Sequence, residues 1–202
     1  MMILLKGLII GLSIAAPVGP IGILCIRRTL NQGRRHGFIS GAGAATADAL
    51  YGTVAAFGLT IVSQFLIDQR GWIQLVGGLF LVYLGIQSMR SHPNNSSNSV
   101  ANSESLSASY LSTFFLTITN PMTILSFVGV FAGLGISSDS SASAAILVMG
   151  VFLGSLLWWL ILSGGVEVIS RFLKNGLLVW VNRASGVVLV LFGIIALYQL
   201  WM

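Results

Sequence analysis

The sequence predicts an all-α integral membrane protein in which six transmembrane helices form two inverted three-helix repeats. Three observations support this fold class: 55% of the 202 residues are hydrophobic, 7% are charged, and apolar stretches of about 20 residues recur along the chain. Soluble domains average roughly 25% charged residues, so this chain has too few charges to cover a surface that faces water.

The apolar stretches define the predicted transmembrane spans. A helix rises about 1.5 Å per residue, so a stretch of about 20 residues matches the hydrocarbon layer of a bilayer. The first stretch continues to Ile26, which is too long for the apolar part of a cleaved signal peptide. The predicted spans cover residues 3–26, 38–62, 71–89, 109–134, 143–164 and 179–200.

A polar linker divides this single membrane domain, residues 1–202, into two halves. Residues 91–108 are rich in Ser and Asn, carry almost no charge and show no apolar periodicity. Such a composition is typical of a flexible linker. The first repeat then comprises residues 1–90 and the second comprises residues 109–202.

The basic residues predict the orientation in the membrane, because Lys and Arg collect in cytoplasmic loops. Lys6 and Arg70 fall on one side of the predicted spans, and the other Lys and Arg residues fall on the opposite side. We therefore expect both termini to be extracytoplasmic and the linker to be cytoplasmic. The net charge of +5 is explained in this way and does not indicate nucleic-acid binding. The residues on the predicted inner side are Arg27, Arg28, Arg34, Arg35, Arg90, Arg171, Lys174 and Arg183.

The two halves resemble each other in sequence. GLFLVYLGI, which begins at Gly78, and GVVLVLFGI, which begins at Gly186, agree at five of nine positions. AAPVG around Pro17 aligns with ITNPM around Pro121, and the two offsets are 108 and 104 residues. Three spans is an odd number, so the second copy enters the membrane from the opposite side. Inverted repeats of this kind are common in secondary transporters.

Breaks in the first and fourth predicted helices indicate a site near the bilayer centre. Pro17 and Pro20 each remove a backbone donor and clash with the preceding turn, so the first span should kink or unwind there. Asn120 and Pro121 interrupt the fourth span at the corresponding place. Free N–H groups at such breaks attract a carboxylate, and Gly19 would let a ligand approach the backbone closely. The alternative is a pair of proline kinks that only shape helix packing.

Asp48 is the only ionisable side chain that the pattern places deep within a span, about ten residues into the second. The matching residue of the fifth span, 107 positions later, is Ser155. An acid within the hydrocarbon layer is costly, and it indicates a proton carrier or a partner for a cationic group. The alternative is a packing role in which Asp48 is protonated or hydrogen-bonded to Thr46 or Asn120.

Signatures of catalysis and of metal binding are missing from the sequence. No paired carboxylates fall within the predicted spans, and His36 and His92 lie in separate predicted loops. No group of residues has the spacing of metal ligands or of a nucleophile with its base. We therefore expect no enzymatic activity, no cofactor and no bound metal.

Four motifs together resemble the LysE family of amino-acid exporters, which is related to the homoserine/threonine exporters. The resemblance implies proton-coupled export of an amino acid or a similar small polar solute across the bacterial cytoplasmic membrane. It supports a site built from Pro17, Gly19, Pro20, Thr46, Asp48, Asn120 and Pro121. The motifs are APVGP at 16–20, CIRRTLNQGRRHGF at 25–38, GAGAATADALYG at 41–52 and TNPMT at 119–123.

Two departures from the family pattern leave the solute open. Val18 splits the usual PGP, and Met122 stands where many relatives carry a Lys. A metal-ion exporter of the same superfamily is one alternative, although Asp48, Asn120 and hydroxyl groups are the only oxygen ligands in range. A membrane assembly factor that transports nothing is the other. The sequence also leaves open whether the protein forms a homodimer.

Overall fold

The structure is a computed structural model in which seven helices and no strand occur among the described residues. The described residues are 2–17, 19–57, 68–90, 105–120, 123, 126–127, 141–170 and 175–200. The helices are α1 (Met2–Ala15), α2 (Pro20–Gln32), α3 (Arg34–Ala56), α4 (Arg70–Arg90), α5 (Leu106–Ile118), α6 (Ser141–Ser170) and α7 (Asn175–Tyr198).

Three of these helices, α4, α6 and α7, are each long and apolar enough to cross a membrane. Helices α1 and α2 meet the same criterion together, as a pair bent by 81° at the break between them. The secondary structure of the described residues is therefore entirely helical and includes helices of transmembrane length, which confirms this part of the prediction. The predicted second and fourth spans continue into residues 58–67 and 128–140, which lie outside the described residues. That the chain has six transmembrane spans stays a prediction.

The second half of the first predicted span is longer than the sequence indicated. Helix α2 continues to Gln32, and the single residue Gly33 separates it from α3. Gly33 has a φ of 89°, which L side chains rarely adopt, so it ends α2 and starts the turn into α3. Arg27 and Arg28 therefore lie on α2, and their predicted position in a loop is wrong.

Two other helix ends also differ from the prediction. Helix α5 begins at Leu106, within the predicted linker, because the Ser105 hydroxyl accepts a hydrogen bond from the Ala108 amide at 3.1 Å and caps the first turn. Residues 91–104 of that linker lie outside the described residues. Helix α6 continues to Ser170 rather than ending near residue 164.

Small residues bring α1 and α6 into backbone contact. A Cβ atom on Gly11 would lie 2.0 Å from the carbonyl oxygen of Val151, and one on Gly154 would lie 2.1 Å from that of Leu8. Lipid tails are as apolar as the helix surfaces, so helices associate in membranes largely through such close van der Waals packing. Any larger side chain at these two positions would push the helices apart.

Helices α4 and α7 contact each other in a reciprocal pattern. A Cβ atom on Gly85 would lie 2.7 Å from the carbonyl oxygen of Gly186, and one on Gly186 would lie 2.6 Å from that of Gly85. Gly78 and Gly193 contact each other in the same way, with a Cβ atom on Gly193 2.7 Å from the Gly78 carbonyl oxygen. The two helices therefore touch at two glycine pairs.

Helix α2 lies at the centre of the molecule and packs against α3, α6 and α7. Its buried residues Leu24 and Cys25 join one apolar cluster that also includes Trp159 of α6 and Leu189 of α7. Because α2 begins at the break after α1, this packing fixes the N-terminal end of α2 in the interior of the protein.

Candidate functional site

A central cavity of about 290 Å³ lies at the break between α1 and α2. Five of the seven predicted site residues line it: Pro17, Gly19, Pro20, Asp48 and Asn120. Small-molecule sites in proteins usually measure roughly 300–1,000 Å³. The central cavity is therefore at the small end of that range and suits a solute of amino-acid size.

Asp48 is 3% exposed and links α3 to α6 at the wall of the central cavity. The Ser155 hydroxyl donates a hydrogen bond to Oδ2 of Asp48 at 2.7 Å, and Nε1 of Trp159 donates to the Ser155 oxygen at 3.1 Å. The residue that aligns with Asp48 in the sequence comparison of the two halves is thus its hydrogen-bond partner. The packing alternative pairs Asp48 with Thr46 or Asn120, and it does not include Ser155.

Thr46 is turned away from the central cavity. Its hydroxyl donates to the carbonyl oxygen of Ala42 at 2.9 Å and accepts from the Tyr110 hydroxyl of α5 at 2.8 Å. Residues two apart on a helix point in directions about 200° apart, so Thr46 and Asp48 face different neighbours. Pro121, the remaining predicted site residue, lies outside the described residues.

The N-terminal end of α2 opens onto the central cavity. Gly19 precedes the helix and has no side chain to cap it, and Pro20 in its first turn has no N–H. Ile21 and Gly22 follow, and both line the cavity. A Cβ atom on Gly19 would meet no atom within 4 Å, so open space borders the backbone there. The positive end of the helix dipole therefore faces this space.

Another part of the wall is formed where α5 ends. Its last residue is Ile118, whose carbonyl oxygen accepts a hydrogen bond from the Tyr51 hydroxyl of α3. The chain then turns, with the amide of Asn120 donating to the Thr117 carbonyl at 3.2 Å and the amide of Thr123 donating to the Asn120 carbonyl at 3.0 Å. Thr117, Asn120 and Thr123 all line the central cavity. The break near Asn120 and the break near Pro20 thus border the same space.

Arg28 is a buried polar residue that the sequence analysis missed. It is 3% exposed, and its Nη1 atom lies 3.0 Å from Ser40 Oγ, 3.1 Å from the Ser109 carbonyl oxygen and 2.8 Å from Thr113 Oγ1. Its Nη2 atom lies 2.7 Å from Ser112 Oγ. These contacts join α2 to α3 and α5. The spacing of residues 109, 112 and 113 on one helical face was a signal that could have indicated them.

A pair of amide side chains holds the same end of α2 to α7. Nδ2 of Asn31 donates to Oδ1 of Asn182 at 2.6 Å, and Nδ2 of Asn182 donates to Oδ1 of Asn31 at 3.2 Å. The Ser88 hydroxyl of α4 donates to the carbonyl oxygen of Asn182 at 2.8 Å. Helix α2 is therefore held by polar contacts on two sides at the end that lies away from the central cavity.

The described residues contain no group of three or more His, Cys, Asp and Glu side chains that could hold a metal ion. The chemistry available at the central cavity is instead that of one carboxyl group, several hydroxyl and amide groups, and the end of a helix dipole. Such a set can bind a small solute that carries both charges, or can hold and release a proton.

Comparisons with known proteins agree with this description. A family model described as LysE type translocator matches residues 12–200. The Putative amino acid efflux protein YcgF of Bacillus subtilis (strain 168) is 30% identical over 206 residues, which cover 98% of this chain and 97% of that protein. The uncharacterized membrane protein YahN of Escherichia coli (strain K12) is 27% identical over 143 residues, 68% of this chain and 63% of that protein. The uncharacterized membrane protein YrhP of Bacillus subtilis (strain 168) is 25% identical over 183 residues, 85% of this chain and 87% of that protein. No solved structure matches the chain significantly.

Proposed function

Because the chain belongs to the LysE type translocator family, we propose that it exports an amino acid or a similar small polar solute across the bacterial cytoplasmic membrane, coupled to protons. The family's members are transporters rather than enzymes. The observation that carries the proposal is the position of Asp48, a buried acid at the wall of a cavity of amino-acid size. An intramembrane acid at such a place is typical of a transport pathway.

The proposed architecture is six spans in two inverted repeats. The reciprocal glycine contacts of α4 and α7 support it, because a two-fold axis would exchange the Gly78–Gly193 contact with the Gly186–Gly85 contact. These glycines occupy matching positions in the two similar nine-residue segments, 108 residues apart.

A second pair of contacts repeats in the same way. A Cβ atom on Gly43 would lie 2.3 Å from the carbonyl oxygen of Tyr110, and one on Gly150 would lie 2.5 Å from that of Leu4. The offsets between the matched residues are 107 and 106. Helix α3 thus packs on α5 as α6 packs on α1, and this similarity also supports the repeat.

The proposed binding mode uses both breaks in the helices. The carboxylate of the solute lies against the first amides of α2, beyond Pro20, where the helix dipole favours negative charge. Its ammonium group faces Asp48 and the polar side chains near Asn120. In a second version of the mechanism Asp48 carries the coupling proton instead. Both versions require a titratable carboxyl group at residue 48.

The proposed orientation places both termini outside and the far end of α2 at the cytoplasmic side. In that orientation the contacts of Arg28 and the Asn31–Asn182 pair close the cytoplasmic side of the central cavity. Opening to the cytoplasm would then require α2 to separate from α5 or from α7, which is a rigid-body step of the kind that secondary transporters use.

The test compares Asp48→Asn and Asp48→Glu with the wild type in proteoliposomes under an imposed proton gradient. Asn keeps the shape and can still accept from Ser155 but cannot ionise, so we expect gradient-driven transport of labelled amino acids to be abolished. Glu should retain part of the activity. Gel filtration of each variant checks that it is folded.

Two results would overturn the proposal. If Asp48→Asn transports as the wild type does, with unchanged pH dependence, Asp48 has only a packing role. If the wild type moves divalent cations and no amino acid, the protein is a metal-ion exporter of the same superfamily.

A further inference from the structure

A second cavity of about 280 Å³ adjoins the central cavity. Pro20, Asn120 and Phe192 line both cavities, so these three residues form a shared wall. The second cavity lies among α4, α5 and α7, whereas Asp48 is on the other side of the shared wall, in the central cavity. A solute held at Asp48 and the end of α2 therefore has a second space directly beside it.

The two cavities differ in chemistry. The second, here called the apolar cavity, is walled mainly by Leu81, Leu116, Ile195 and Ala196. Its described polar residues carry amide or hydroxyl groups, and none of the residues described at its wall is ionisable. The central cavity instead holds a carboxyl group and the positive end of a helix dipole.

We propose that the two cavities bind the two ends of one solute, a neutral amino acid with an apolar side chain. Its ammonium and carboxylate groups lie in the central cavity, and its side chain lies in the apolar cavity. This inference rests on the proposed export of amino acids and specifies the class of solute.

Desolvation explains why the side chain should be apolar. An ionised side chain in the apolar cavity would lose its hydration and find no opposite charge among the described residues there. An aliphatic or thioether side chain would gain free energy by leaving water and contacting Leu81 and Leu116. One additional methylene group in such a pocket typically changes the rate about 10–200-fold, so selectivity within the class is also expected.

An experiment must distinguish the solute from a second candidate occupant of the apolar cavity, the acyl chain of a lipid. Ile195 is 52% exposed, so the apolar cavity lies close to the surface that faces lipid. We favour the solute because the apolar cavity shares three residues with the central cavity and so continues it. A lipid chain bound in the same place would not change which amino acid is transported.

The test measures counterflow in proteoliposomes for labelled leucine, methionine and phenylalanine and compares it with counterflow for labelled serine, lysine and aspartate. Labelled alanine is measured as well. We expect the first three to be transported about tenfold faster or more. Ala196→Leu fills the apolar cavity and should lower leucine and methionine transport by about tenfold or more, while alanine transport changes little. Ala184→Leu is the matched control, because it makes the same change at an exposed position of α7 and should leave all rates unchanged.

The outcomes separate this inference from the proposed function. Faster transport of serine or lysine than of leucine would overturn the apolar side chain and leave amino-acid export intact. No transport of any amino acid would overturn both. If a folded Ala196→Leu protein keeps the wild-type selectivity, the cavity holds lipid or nothing, and the inference is wrong. If Ala196→Leu does not fold, Ala196→Val provides the smaller change, and the same shift in selectivity is required of it.

Discussion

Gly19, in the break between α1 and α2, and Gly154, on α6, lie in opposite surroundings. A Cβ atom on Gly154 would lie 2.1 Å from the Leu8 carbonyl oxygen, whereas one on Gly19 would meet no atom within 4 Å. Neither residue has a positive φ in the part of the chain that is described. Gly154 is therefore needed for helix contact, whereas open space borders the backbone at Gly19.

Alanine substitution should separate these two roles. Gly154→Ala forces α6 away from α1, and overpacking of this kind typically costs roughly 1–3 kcal/mol. We expect a lower melting temperature and less folded protein. Gly19→Ala should fold normally but place a methyl group beside the first amides of α2, and so should slow export. Thermal unfolding and transport assays on both variants measure the two effects. Wild-type transport by Gly19→Ala would show that the solute does not approach the backbone there.

Helix α2 shows how one element combines the site with the core. Its first turn opens onto the central cavity, and its other end is bonded to three neighbouring helices through Arg28 and Asn31. A guanidinium group can satisfy several acceptors at once, since it carries five N–H donors in a fixed plane. Removing it would leave the buried oxygen atoms of α3 and α5 without this donor.

Arg28→Met should destabilise the protein by about 1–3 kcal/mol, the usual cost of leaving a buried polar group unsatisfied. Arg28→Lys keeps the charge but cannot reach the same set of acceptors, so its stability should be intermediate. Arg35→Met removes the same charge from an exposed position of α3 and serves as the control. Thermal unfolding in detergent measures all three. Equal melting temperatures for Arg28→Met and Arg35→Met would show that the contacts of Arg28 contribute nothing to stability.

Local sequence patterns predicted the helices, the break at Pro20 and the burial of Asp48, because each depends on hydrophobicity or on backbone chemistry within a few residues. They did not predict the burial of Arg28. A rule that assigns basic residues to loops has no information about hydroxyl groups that a distant helix supplies. The Asp48–Ser155 hydrogen bond is an intermediate case, since the alignment of the halves matched the two residues but could not show that they touch.

The orientation of the whole molecule in the membrane can be tested at its termini and at the linker between the two halves. Basic residues predict that both termini are extracytoplasmic and that residues 91–108 are cytoplasmic. Reporter fusions at the C-terminus and within residues 91–108 should therefore report opposite sides of the membrane. A C-terminus in the cytoplasm would overturn both the six spans and the inverted repeat. Amino-acid export itself would be left untouched by that result.

Asp48 and Ser155 occupy matched positions in the two halves and are bonded to each other, yet only one of them can ionise. In a protein with two identical inverted halves, a two-fold rotation would exchange the inward-open and outward-open states, which would therefore have equal energy. The carboxyl group on one half is one of the sequence differences that remove that degeneracy. Side-specific labelling without a gradient should thus find different resting populations in the wild type and in Asp48→Asn. A proton gradient that acts through this one carboxyl group would then set the direction of net transport.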